Sequence, residues 1–234
     1  MKPLLLAFIT LCIAALPGNP ELNPGKERWP VKTSITHFKP VVEVTLRELL
    51  NLPNPIKKYG KRAGEAFLTE RFPNAVGPKN LKEGDIVTVY GYIMLAALEC
   101  DKDGEDGDYH VQIRPVNYWS DSCLVVEVPY PPFIHGNKML QDSVQAVRNF
   151  FDEKILKGKK HASFGTEEKP ALLVKITGQL FFDAHHINTD PRGKQNSDTK
   201  EKMKSYTCWE IHPVFSVSPA GKHGKRNPGF KPEK

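Results

Sequence analysis

The sequence predicts a mainly β fold: a five-stranded barrel with one helix between strands three and four, behind a partly helical, Pro-rich N-terminal segment. Three observations carry this. Five segments between Ile86 and Val217 alternate apolar and polar residues with the two-residue period of a strand. One segment, between the third and fourth of these, carries the helical repeat instead. The first and fourth strands are long and hold a glycine in their middles, Gly91 and Gly178, where a strand bends around a barrel corner.

The elements follow in order. Ile86 to Glu99 places Val87, Val89, Ile93 and Leu95 on one face, and Thr88, Tyr90, Tyr92 and Met94 on the other. An acidic turn, Cys100 to Gly107, leads into Asp108 to Arg114, with Tyr109, Val111 and Ile113 inward. A polar loop precedes the third strand, Cys123 to Val128, with Leu124, Val126 and Val128 on one side. From Gln141 to Leu156, residues Val144, Val147, Phe150, Phe151 and Ile155 recur at helical spacing. Ala171 to Ala184 is the fourth strand, His186 to Ser205 a long polar loop, and Tyr206 to Val217 the fifth strand. Strand, strand, strand, helix, strand, strand is the order of an OB-type barrel.

Upstream, Lys2 and an apolar run from Leu4 to Leu16 end at Pro17 and Gly18. That is the make-up of a secretory signal peptide over residues 1–18, too short for a membrane-spanning helix, which needs ~20 apolar residues. Cys12 lies inside the apolar run behind the bulky Leu11, which argues against a lipoprotein. The expectation is an exported protein, periplasmic or secreted. Residues 19–80 read as a Pro-rich leader with short helices, in which Asn19 to Pro40 forms an extended spacer or a strap over the domain. Within it, Thr45 three residues before Glu48 marks a capping box and a short helix, and Tyr59 to Phe72 a second helical or looped piece. The barrel is expected over 81–219 and a disordered basic tail over 220–234. Of the net charge of +6, the stretch from Pro219 to Lys234 holds five Lys or Arg against one Glu, so the excess sits in the tail. Nucleic acid is therefore a weakly supported partner.

The export signal and the barrel pattern together resemble the bacterial periplasmic OB-fold proteins, binders of small ligands or cations. The stretches Phe181 to His186 and Trp209 to Val214 resemble those of uncharacterised exported proteins. Neither resemblance brings an assigned activity. Asp106-Gly107-Asp108 with Arg114 partly resembles the exported thermonucleases, but their glutamate and second arginine have no counterpart.

Acid and imidazole groups cluster at Asp108-Tyr109-His110, at Asp183-Ala184-His185-His186 and at Glu210-Ile211-His212. Residues two apart on a strand share a face, so Asp108 with His110, Asp183 with His185, and Glu210 with His212 project together. Imidazole and carboxylate are ligands for zinc or iron, which makes Asp108, His110, Asp183, His185, His186, Glu210 and His212 candidate metal ligands, with zinc the possible cofactor. Against this, the second and fifth strands are not neighbours in the OB order, so His110 and His212 need not converge. The bland alternative is that these histidines cap loops or pair with nearby carboxylates. The acidic turn lacks the glycine and glutamate of a calcium loop.

The predicted function is a non-catalytic binding module for a small ligand or partner protein. Its ligand face is placed at His110, Gln112, Arg114, Tyr118, Trp119, Arg192 and Lys194. The alternative is a metal-dependent hydrolase, phosphodiesterase- or nuclease-like, using the acid and imidazole cluster. A third reading is an envelope structural or interaction protein. Three cysteines remain after the leader, Cys100, Cys123 and Cys208, with Cys123 and Cys208 the expected disulfide pair.

Overall fold

A computed structural model describes residues 28–55, 67, 69–99, 106–116, 122–158, 164–187, 191–196 and 200–221, with only the backbone at 164–170 and 185. The expected signal peptide, residues 19–27 of the leader, most of the second helical piece, Cys100, the turn 101–105, Tyr118, Trp119, the His185 side chain and the tail from 222 lie outside the described residues.

The chain runs α1 (Trp29–Lys32), β1 (Val41–Glu43), α2 (Leu46–Leu50), β2 (Ile86–Leu98), β3 (Tyr109–Arg114), β4 (Leu124–Val128), α3 (Lys138–Phe151), β5 (Phe164–Phe182), β6 (Gln195–Asn196) and β7 (Trp209–Pro219). Strands β2, β3, β4, β7 and β5 are hydrogen-bonded in that order, and β2 pairs again with β5, closing a five-stranded barrel. All barrel pairs are antiparallel except β4 with β7, which is parallel. The helix α3 starts on an Asn137 cap, whose side chain accepts from the Leu140 amide, and buries Leu140, Val144, Val147 and Phe151. No helix among the described residues is long and apolar enough to cross a membrane.

The core fills the barrel with the inward residues of each strand: Val87, Val89, Ile93, Tyr109, Val111, Ile113, Leu124, Val126, Val128, Ile176, Leu180, Trp209 and Ile211. One assignment changes. The β2 register shifts between Ile93 and Leu95, so Ile93 faces Ile113, Leu95 faces Gln112 and Ala96 faces Val111. The extra residue flips the parity of the strand: Ala96, not Leu95, joins the core cluster, and Met94 packs outside with Cys123 and Met203. The bulge therefore lies three residues beyond Gly91.

Gly178 does sit at a register shift, in the pairing of β5 with β7. A β-carbon there would lie 2.5 Å from Ile211 Cγ2, 2.5 Å from the Pro213 carbonyl oxygen and 3.0 Å from Val214 Cα. Two of those three atoms are backbone and cannot rotate away. Gly178→Ala is expected to destabilise the barrel by about 3 kcal/mol, at the upper end for overpacking, and to lower Tm by roughly 6–12 °C. An unchanged thermal melt would show that β5 and β7 do not approach this closely.

The thiols Cys123 and Cys208 are both free, which corrects the expected disulfide. Cys123 belongs to the small cluster outside the barrel wall, whereas Cys208 packs in the main core. The two therefore serve different packing layers. Burial pushes the Cys123 thiol up to about 12 and the Cys208 thiol up to about 11, so neither is primed as a thiolate.

The segment before the barrel packs onto it. Arg28 places both terminal nitrogens on the buried Glu83 at 2.7 Å. It also donates to the carbonyls of Phe67, Glu70 and Phe182. Thr45 and Glu48 form the expected reciprocal cap of α2, which buries Leu46 and Leu49 in the core.

Candidate metal centre

The site grows out of the pleat. Once Tyr109, Val111, Val126, Val128, Trp209 and Ile211 point inward, the residues between them must point outward. On three adjacent strands those are His110, Gln112 and Arg114 (β3), Val125 and Glu127 (β4), and Glu210 and His212 (β7). Direct pairing sets His110 opposite Glu127 and Val125 beside Glu210. An outward face of this kind normally meets water. Here every residue of β3 and β4 is buried, so the polar face is covered.

Two pieces of chain cover it. The connection from β5 to β7 folds back over Gln112, which donates to the Met203 carbonyl at 3.0 Å and accepts from the Lys194 amide at 2.5 Å. Gly193, at φ 137°, permits this contact, because a β-carbon would lie 1.8 Å from the Met203 oxygen. From the other side, α1 brings the Lys32 ammonium to 3.7 Å from Asp106 Oδ2 and 4.0 Å from Glu127 Oε2.

Glu127 is the centre of the arrangement. Its Oε1 lies 3.1 Å from His110 Nδ1, and its Oε2 lies 2.9 Å from His212 Nδ1. These two contacts and Lys32 hold its carboxyl well below the usual range, overriding burial, which acts in the opposite direction. The far side of His212 faces Asp108: Nε2 is 3.4 Å from Asp108 Oδ2. On the other flank, Glu99 Oε1 is 3.5 Å from His110 Nδ1 and 2.7 Å from Lys194 Nζ. Among the described residues, the Nε2 atoms of both histidines, Asp106 Oδ2 and Glu210 Oε2 are buried without a hydrogen-bond partner.

A second group adjoins the first. Asp183 Oδ2 lies 2.7 Å from His186 Nδ1 and accepts from Arg192 Nη1 at 2.9 Å, and Arg192 also pairs with Glu210. Although burial would raise it, the Asp183 carboxyl is held far below the usual range by Arg192 and His186. His186 is raised in turn: its hydrogen bond to Asp183 and that residue's charge outweigh burial.

The electrostatics are unbalanced toward acid. Among the described residues, Glu99, Asp106, Asp108, Glu127, Asp183 and Glu210 face Lys32, Arg192 and Lys194, with Arg114 on the same wall. Burial and the surrounding carboxylates push Asp106 and Asp108 each up to about 8, and burial pushes Glu210 up to about 7. The network thus retains protons that a solvated carboxyl releases, or it takes up a further cation. Two trios place one ligand atom each within 4.8 Å of one another: Asp108, Glu127 and His212, and Glu99, His110 and Glu127.

Of the seven sequence-predicted ligands, Asp108, His110 and His212 converge through Glu127. Asp183, His186 and Glu210 form the adjoining group around Arg192. The expectation that His110 and His212 need not meet is corrected: β4 lies between β3 and β7, and the Glu127 side chain touches both imidazoles. Glu99, Glu127, Asp106 and Lys32 were missed as site residues. Glu127 had a readable signal, since it shares the outward parity of β4 with Val125 and faces His110 in an antiparallel pair. Lys32 had none. Of the residues expected to form a ligand face, His110, Gln112, Arg114, Arg192 and Lys194 lie along the covered wall.

A scan against family models, a search of curated proteins and a search of solved structures each return no match for this chain.

Proposed function

We propose that the protein is an exported, non-catalytic OB-type barrel whose ligand is a divalent cation, held on the outer wall by His212 Nε2 and Asp108, with Glu127 orienting the imidazole through its Nδ1. The observation that carries this reading is the pair of buried imidazoles oriented by one ionised carboxylate. Glu127 accepts at both oxygens, so Nδ1 of His110 and of His212 carries the proton, and a neutral ring then has its lone pair at Nε2. Both Nε2 atoms are buried with no hydrogen bond among the described residues, and that of His212 faces Asp108 Oδ2 at 3.4 Å. An imidazole that donates one ring N–H to a carboxylate and presents the other nitrogen to a ligand is the usual arrangement around a bound metal. Ligand type favours zinc, with manganese and iron next. Deep burial of Asp108, Glu127 and His212 favours holding the ion over turning over a substrate at it. The same covered, acidic wall argues against a polyanion partner.

Metal analysis by mass spectrometry of the mature protein, purified untagged and without chelator, tests this. At least one equivalent of zinc, manganese or iron is expected, and His212→Ala is expected to lose it. Absence of metal, together with no gain in Tm on adding zinc, manganese or iron(II), would sink the reading.

A further inference from the structure

We infer that the Lys32 side chain is a tethered cation that neutralises the acidic wall in the metal-free protein and swings into water when a divalent ion takes its place. The inference rests on the cation reading above and adds to it a built-in competitor, carried on the segment before the barrel.

Lys32 touches both supports of the site. Its ammonium lies 4.0 Å from Glu127 Oε2, the oxygen that receives Nδ1–H from His212 at 2.9 Å. It lies 3.7 Å from Asp106 Oδ2, while Asp106 Oδ1 accepts from the Asp108 amide at 3.2 Å. Burial pushes the Asp108 carboxyl up, and of the charges around it Lys32 acts most strongly. The same ammonium stands 5.9 Å from the centroid of the Phe181 ring, which packs against His212 at 5.6 Å. Lys32 is thus one residue removed from each ligand, Asp108 and His212. A divalent ion between them brings a second positive centre to the same carboxylates. In a low-dielectric wall the two repel strongly.

Of the cations described here, Lys32 is the one that can give way. Arg192 pairs with Asp183 and Glu210 and donates to the Thr207 carbonyl at 3.2 Å, so its planar fork is fixed on three residues. Lys194 lies on the other flank, 2.7 Å from Glu99. Lys32 carries a compact charge on a flexible four-carbon stem, and its side chain is 10% exposed, so its path to water is short. The backbone beneath it is held, since Arg28 pairs with Glu83 and Val31 is fully buried. The movement is therefore of one side chain and not of α1. A monovalent ion would exchange one positive charge for another, whereas a divalent ion adds a charge to a wall in which acid exceeds base.

Amine acylation read by peptide mass spectrometry tests the inference on the unsubstituted full-length mature protein, stripped with chelator, with and without saturating zinc. Labelling of Lys32 is expected to rise severalfold with zinc, while the exposed Lys82 is labelled equally in both states. Stabilisation of the fold alone would lower Lys32 labelling, so the sign separates the two effects. Zinc titration of Lys32→Met by calorimetry is the second arm. Its metal-free Tm should fall, because Asp106 and Glu127 lose a counter-charge, and its zinc affinity should rise about tenfold or more. A lysine with a structural role only would lower Tm without tightening zinc. Lys32→Arg, which keeps the charge, should bind zinc no tighter than the unsubstituted protein. If Lys32→Met does not fold, the labelling arm decides alone. Zinc binding with no rise in Lys32 labelling, or with no gain in affinity in a folded Lys32→Met, overturns the inference and leaves the cation reading standing. No zinc binding by either protein overturns both.

Discussion

Replacing Arg28 by methionine is expected to destabilise the protein by about 3–5 kcal/mol, the cost of leaving one partner of a buried ion pair alone. At this chain length that lowers Tm by roughly 10 °C. The guanidinium is 3% exposed and the Glu83 side chain 0%, so water cannot replace the lost charge. Methionine also vacates three backbone carbonyls, those of Phe67, Glu70 and Phe182. The double variant Arg28→Met, Glu83→Leu should not recover the loss. Glu83 also accepts from the Phe72 amide at 2.7 Å and the Phe182 amide at 2.9 Å. Leucine would bury both donors unpaired, at about 1–3 kcal/mol each. A single-variant melt within about 2 °C of the unsubstituted protein would mean the segment is not anchored as described. The consequence reaches the acid and imidazole network, because Arg28 directly precedes α1, and α1 carries Lys32 over Glu127. Loosening the anchor should remove that ammonium from the site.

The barrel was legible because its signal is local. Alternation along β2, β3, β4, β5 and β7, and the helical repeat of α3, follow from which face of each element is buried. The parity flip at Met94 was not legible. An apolar run such as Ile93-Met94-Leu95-Ala96 reads equally well in either register, and only its pairing with Ile113, Gln112 and Val111 decides it. The candidate site was half legible for a related reason. Outward-facing His110, Glu127, Glu210 and His212 look from sequence like an ordinary solvated face. What converts them into a buried network is cover from elements distant in sequence, namely α1 and the connection from β5 to β7. Neither Lys32 nor the Gly193 contact with Gln112 follows from a pattern along the chain. Strand adjacency misled in one place: counting β3 and β7 as separated was correct for the backbones, but two long side chains and the carboxylate between them cross that gap. The cysteines misled because both are buried for packing: Cys208, just before β7, joins the main core cluster, and Cys123 joins the small one outside the wall.

Glu127→Gln is expected to abolish tight metal binding, lowering affinity by a hundredfold or more, and to destabilise the metal-free protein as well. The substitution keeps the shape of the side chain and changes only what its ends can do. A carboxylate accepts at both ends, which is why it can receive Nδ1–H from His110 and from His212 at once. A carboxamide accepts at one end and donates at the other. One imidazole must then move its proton to Nε2, and if that ring is His212 its lone pair turns away from Asp108, 3.4 Å from Nε2. Second partners that fix the tautomer of a ligating histidine are worth about 10–100-fold in metal affinity, and the loss of a negative charge beside the ion adds to this. The Lys32 ammonium, 4.0 Å from Glu127, also loses a counter-charge and is left with Asp106 at 3.7 Å. Zinc at 100 times its Kd stabilises a folded protein by about 2.7 kcal/mol, so the zinc-dependent rise in Tm should be present in the unsubstituted protein and absent in Glu127→Gln. Asp108→Asn, which leaves both imidazole contacts to Glu127 in place, should weaken binding less. If Glu127→Gln retained the metal content and the zinc-dependent Tm shift, the centre of the site would have to lie elsewhere on the wall, with the Asp183, His186 and Glu210 group the next place to look.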